Sequence, residues 1–152
     1  MTIRFDEAGP PAPPEVIRDT ESRLGVTLPD DYRTFLERQN GGEPEPNFLE
    51  SGEGIGGAHV RYFLSAGPNE IEGVDDLEST ASLYWGPEHQ LDPSVLPIGE
   101  DAFGNLICLA VSGEDYGAVF IWDHEDGAST RASDSFSEFF ERLRPEAELD
   151  LS

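Results

Sequence analysis

The chain of 152 residues contains 32 Asp and Glu against nine basic residues, all of them Arg, and its formal net charge is −23. A surface this acidic excludes nucleic acid and anionic lipid as favourable partners and attracts a basic protein. Solubility, or adaptation to salt, is the alternative explanation of the acidity. The single cysteine, Cys108, excludes an internal disulfide and a cysteine-rich zinc site.

Two helices are predicted in the first third of the chain. Pro14 suits the first turn of a helix that runs to Leu24, and Gly25 is typical of a C-terminal cap. The second helix starts at Pro29 and carries acidic residues in its first turn, where the helix dipole favours anions. We expect it to end at Asn40–Gly41, because both residues tolerate left-handed backbone.

The segments around these helices give weaker signals. The first dozen residues and residues 43–58 are interpreted as irregular, 59–66 as a strand and 70–85 as a helix. The Gly-rich run at 51–57 lacks the preceding strand, following helix and Lys of a phosphate-binding loop, which favours a surface loop.

The C-terminal half is predicted to be mostly β-structure. Three β-like runs, 95–101, 105–111 and 117–125, are separated by short turn signals, which favours an antiparallel meander. Residues 133–143 are predicted to form a closing helix. Asp134 or Ser135 caps it, with Glu138 in a capping-box position. The order helix–helix–strands–helix indicates an α+β fold.

Candidate catalytic and metal-binding residues are few. His59, His89 and His124 lack the close spacing of metal ligands. Cys108 lies in an apolar strand, where burial makes a thiol inert. Carboxylate pairs, which could serve a hydrolase, carry no specificity among 32 acidic residues. We therefore expect no enzyme activity, no metal and no cofactor.

The chain is expected to be one soluble cytoplasmic domain, residues 1–152. Its first residues lack the features of a secretory signal, and no run approaches the length of a membrane span. Acidic residues in predicted loops or at strand ends are candidates for partner binding: Glu43, Glu45, Glu50, Asp123 and Glu125. Trp85 is a candidate interface anchor, although core packing is the commoner role of a tryptophan.

Two segments of the sequence form a recognisable signature. Its first segment has an acidic residue in the first helix, then Leu-Pro with an aromatic residue three positions after the Pro, and ends on Asn-Gly-Gly. The matching residues there are Glu21, Leu28, Pro29, Tyr32, Leu36, Asn40, Gly41 and Gly42. The second segment matches at Ile98, Gly99, Gly104 and Asn105, followed by a strand that ends near Trp122. With these residues the sequence resembles the Smi/Knr group of the SUKH superfamily, and the resemblance covers about residues 15–143.

This resemblance implies an α+β fold in which a mixed or antiparallel sheet packs against helices, and it implies binding rather than catalysis. Many bacterial members look like immunity proteins against toxins, often nucleases, whereas fungal members resemble intracellular regulators of cell-wall synthesis. We therefore expect a protein partner, a basic toxin domain bound stoichiometrically, with a regulatory adaptor as the alternative. The signature residues are implied to be structural, and the oligomeric state stays open.

Overall fold

The computed structural model describes residues 4–6, 12–45, 48–49, 58–67, 76–88 and 91–144. This part of the chain forms four helices and nine strands. In chain order they are β1 Arg4–Asp6, α1 Pro14–Leu24, α2 Asp30–Arg38, β2 Glu43–Glu45, β3 Phe48–Leu49, β4 Ala58–Phe63, α3 Leu77–Tyr84, β5 Val95–Asp101, β6 Leu106–Ala110, β7 Val119–Trp122, β8 Ser129–Ser133, α4 Phe136–Glu141 and β9 Leu143–Arg144.

The first helix begins where the sequence predicts, and the second begins at Asp30, one residue later than predicted, with Pro29 as its cap; the two differ in how they end. Pro14 occupies the first turn of α1, and Gly25 caps it in left-handed conformation with its N–H bonded to the Glu21 carbonyl at 2.8 Å. The predicted end of α2 at Asn40–Gly41 is wrong. The helix stops at Arg38, and the next residue, Gln39, is extended.

Seven strands form one sheet in the order β8-β7-β6-β5-β4-β3-β9, and all its strand pairs are antiparallel. The predicted meander is confirmed as β5-β6-β7, and β8 extends it. β1 and β2 pair in a separate antiparallel ribbon, which joins the sheet where Gly42 exchanges two backbone hydrogen bonds with Phe63. The α+β class is confirmed, with an antiparallel sheet.

Five short strands lie where the sequence predicted none. β1, β2 and β3 fall in segments interpreted as irregular, β8 lies between predicted elements, and β9 overlaps the end of the predicted closing helix. Each has two to five residues. These segments show too little apolar alternation to predict, and their strand conformation comes from pairing with other strands.

Two predicted boundaries are corrected, and a third helix is described only in part. The third β-run ends at Trp122 rather than at residue 125, because the Asp123 N–H bonds to the Ala128 carbonyl and closes a turn. The helix predicted over 70–85 appears as α3, and residues 70–75 lie outside the described residues. The closing helix begins after Ser135, whose hydroxyl accepts the Glu138 N–H at 3.1 Å, so Ser135 rather than Asp134 is its cap.

The core lies on both faces of the sheet. Because side chains alternate along a strand, Ile107 and Leu109 of β6 join a large cluster with buried residues of all four helices, whereas Leu106 and Cys108 join a smaller cluster. Trp122, 8% exposed, lies in the smaller cluster. This double burial fixes β5, β6 and β7, and therefore the turns that connect them.

Candidate functional site

The first signature segment holds α1 and α2 together through Glu21. Its carboxylate accepts hydrogen bonds from the Leu28 N–H at 2.8 Å and from the Arg33 guanidinium at 3.0 Å, and the same guanidinium donates to the Leu28 carbonyl. The hydrogen bond to Glu21 is the largest of the contacts that raise the pKa of Arg33. The sequence indicated Glu21 but not its partner Arg33, which lies twelve residues away on the next helix.

The Asn-Gly-Gly motif joins the end of α2 to the segment that follows β4. The side chain of Asn40 donates to the Ala66 carbonyl at 2.9 Å and accepts from the Ala66 N–H at 2.7 Å. Gly41 has φ of +83°, and a Cβ there would lie 2.8 Å from the Leu64 carbonyl oxygen. A side chain at this position would therefore push the helix end away from the sheet.

The second signature segment forms a closed turn between β5 and β6. The Asp101 carboxylate, in a residue only 4% exposed, accepts the N–H groups of Phe103 and Asn105 at 2.8 and 2.9 Å and the Asn105 side-chain amide at 3.1 Å. Gly104 has φ of +86°, which side chains rarely tolerate. The turn therefore has little freedom to change its shape.

A second turn, between β7 and β8, is held by its own acidic side chains. Asp123 accepts the Glu125 N–H at 2.7 Å, and Asp126 accepts the Ala128 N–H at 2.8 Å. Such local bonds between a carboxylate and the backbone two residues later are typical of Asx turns. They fix the backbone of an exposed, strongly acidic segment.

The two turns contact each other through His124. Its N–H donates to the side-chain oxygen of Asn105 at 3.2 Å, and its ring nitrogen Nε2 lies 2.8 Å from the Phe103 carbonyl, which can only accept. We call residues 101–105 and 123–128 together the acidic tip. The ring of Phe103 is 75% exposed there, so the tip combines carboxylates with an apolar group.

The model of the SMI1 / KNR4 family (SUKH-1) matches residues 11–142. The chain belongs to this family. The predicted membership in the Smi/Knr group is therefore confirmed. This SUKH-1 chain is also 26% identical, over 146 residues, to the SPbeta prophage-derived uncharacterized protein YokK of Bacillus subtilis (strain 168), covering 82% of this chain and 71% of that protein.

The structure places the predicted partner-binding residues of this SUKH-1 domain in different regions. Asp123 and Glu125 lie in the acidic tip, beside the signature residues Gly104 and Asn105. Glu43 and Glu45 belong to β2, in the ribbon with β1, and Glu50 lies outside the described residues. Their roles, like that of the tip, stay predictions.

Trp85 makes contacts within the fold. Its indole N–H donates to the Val95 carbonyl at 2.9 Å, and its partly buried ring packs against both core clusters. Phe103, in contrast, was not among the sequence-based candidates. A signal existed, because an aromatic residue inside a tight turn between two strands cannot reach the core that those strands cover.

The tip offers recognition chemistry: fixed carboxylates, backbone turns and one apolar ring. Among the described residues no group of His, Cys, Asp and Glu could hold a metal ion, and His89 lies outside them. Burial raises the pKa of the Cys108 thiol, which keeps it protonated. Within the same residues no helix is long and apolar enough to cross a membrane.

Proposed function

We propose that this SUKH-1 protein is a non-enzymatic immunity protein, which neutralises a basic toxin domain by stoichiometric binding. The observation that carries this proposal is the net charge of −23. Family membership supports a binding role, and the charge selects the kind of partner. A nuclease toxin has a basic substrate groove, which an acidic domain can cover in place of nucleic acid.

Ion pairing inside the chain cannot neutralise this charge. With 32 acidic and nine basic residues, 23 carboxylates remain even if every Arg pairs with one of them. Even around Arg33 and Arg131 one carboxylate is in excess, because each of these guanidinium groups contacts two. The excess negative charge therefore produces a field in the surrounding solvent. This field steers a basic partner and accelerates encounter by up to about a thousandfold at low salt.

The acidic tip is the part of the surface best suited to be the contact. Its backbone N–H groups donate hydrogen bonds to side-chain oxygens of Asp101, Asn105, Asp123 and Asp126, so little conformational entropy is lost on binding. Phe103 supplies an exposed aromatic group of the type that anchors interfaces.

The proposal is tested by co-expression with the product of the gene adjacent to its own, scoring cell survival and co-purification. Survival with a complex of fixed ratio is expected. If the adjacent product is not toxic, or if cells die although both proteins accumulate, the immunity role is wrong. Co-purification with a non-toxic cellular protein would then favour the regulatory adaptor.

A further inference from the structure

A cleft of about 240 Å³ opens between α3 and strands β4, β5 and β6. It adjoins the acidic tip at the turn between β5 and β6. Glu100 immediately before this turn and Leu106 immediately after it both line the cleft. A protein that covers the tip can therefore also place a side chain in the cleft.

The carboxylate of Glu100 lines the cleft, and one of its two oxygens accepts a hydrogen bond within the described part of the chain. The Tyr62 hydroxyl donates to one oxygen of Glu100 at 2.6 Å, a length typical of a charge-assisted bond. The second oxygen of Glu100 has no hydrogen-bond partner among the residues that the structure describes. Tyr62 therefore fixes the carboxylate and leaves one oxygen available to a donor that enters the cleft.

A second polar group in the cleft also lacks a partner. Thr80 of α3 is 9% exposed, and its buried hydroxyl makes no hydrogen bond within the described part of the chain. Buried hydroxyls are hydrogen-bonded in most proteins, and an exception calls for an explanation. A bound group that reaches this hydroxyl would supply the missing partner.

Ser79 adds a second hydroxyl to the lining, and the other walls are mainly apolar. Leu64 and Leu106 line the cleft, and Leu83, 52% exposed, lies on its α3 side. A ligand that fits has an aliphatic stem and a cationic end with several N–H donors. Lysine and arginine side chains have this form, since their methylene groups pack on apolar surface while the charged end seeks a carboxylate.

We propose that the cleft receives one lysine or arginine side chain of the partner protein, with its cation on Glu100 and its stem along Leu83 and Leu106. The identity of the partner rests on the proposed function, but the chemistry of the cleft does not. The cleft would add a specific contact to the long-range attraction of the acidic surface.

The test is a titration of the isolated chain with N-acetyl-arginine amide and N-acetyl-lysine amide, followed by the methyl NMR signals of the cleft residues Leu64, Thr80, Leu83 and Leu106. N-acetyl-norleucine amide is the neutral control probe. Saturable shifts of these methyl signals are expected with a cationic probe only. Equal binding of the neutral probe, or no saturable shift at all, would overturn the proposal.

Two variants separate the cleft from the general negative field. Glu100→Gln keeps an acceptor for Tyr62 but loses the negative charge, and it should weaken binding of the cationic probes at least about tenfold. The matched control Glu114→Gln removes the same charge from an exposed turn and should leave binding unchanged. Equal weakening in both variants would refute a site in the cleft.

Thr80→Val removes the unpaired hydroxyl without changing the size of the side chain. It should weaken probe binding and leave the fold intact, as judged by the amide spectrum; unchanged binding would contradict the role of Thr80. The titration uses no toxin. A chain that binds the probes but protects no cell refutes only the immunity role, and one that protects but binds no probe refutes only the cleft.

Discussion

The hydroxyl of Tyr32 is a polar group enclosed in an aromatic cluster. The residue is fully buried, its ring meets that of Phe136 edge-on at 5.0 Å, and the hydroxyl has no hydrogen-bond partner in the described ranges. Removing an unpaired buried hydroxyl relieves its desolvation cost. We expect Tyr32→Phe to raise the free energy of unfolding by about 1 kcal/mol, measured by urea denaturation at neutral pH. A less stable variant would mean that the hydroxyl is satisfied.

Alkaline pH should destabilise the fold through two buried acids. Burial raises the pKa of Tyr32 and that of Cys108 above their ordinary values. In the unfolded chain these groups lose their protons near about pH 10 and about pH 8.5, while the folded chain keeps them. Because the unfolded state then binds fewer protons, the free energy of unfolding falls as pH rises.

Stability against pH, measured for the parent and two variants, checks this prediction. The parent should lose stability progressively above about pH 8.5. Cys108→Ala should flatten the first part of the decline and Tyr32→Phe the part above about pH 10. Slopes are compared rather than absolute stabilities, because Cys108→Ala also leaves a small cavity. Identical slopes in all three proteins would contradict the prediction.

At the scale of elements, Asn40 connects α2 to the segment after β4. Asn40→Ala leaves both backbone groups of Ala66 without their partner, and we expect it to lower the free energy of unfolding by about 2–3 kcal/mol. The neighbouring Gln39→Ala is the control, because the Gln39 side chain makes one long bond of 3.3 Å. A loss no larger than that of the control would mean that Asn40 does not hold the helix to the sheet.

Prediction from the sequence was accurate where structure is local. Pro14, Gly25 and Ser135 act within one turn of the helices that they begin or cap, and the meander strands are apolar and separated by turn signals. The strand β8 carries a largely polar, partly exposed sequence and forms by pairing with β7. Its strand conformation depends on that partner, so the segment alone did not reveal it.

At the scale of the whole molecule, the sequence predicted an acidic surface but not its arrangement. Asp123 and Glu125 were candidates from charge alone. The contact that joins their turn to Phe103 and Asn105 depends on His124, which was considered only as a metal ligand. The cleft beside Glu100 was not predictable either, since its lining combines α3 with residues of three strands.

Charge on the tip should speed association more than charge elsewhere. A triple variant, Asp123→Asn, Glu125→Gln and Asp126→Asn, keeps the side-chain acceptors of the turn and removes three charges. The control triple Asp19→Asn, Glu37→Gln and Glu114→Gln removes three exposed charges outside the tip. The tip variant should associate with the toxin about tenfold more slowly at low salt, with a smaller change in the control and a smaller difference at high salt. Equal rates for the two triples would exclude the tip as the contact.

The central claim is that the chain acts by stoichiometric binding, and titration of the purified adjacent-gene toxin tests it most directly. Toxin activity is measured while the purified chain is added at concentrations well above the dissociation constant. The account predicts a linear loss of activity that ends at a fixed molar ratio. Complete loss at a small fraction of one equivalent would indicate turnover, and undiminished activity at excess would mean that the chain does not neutralise this toxin; either result would contradict the account.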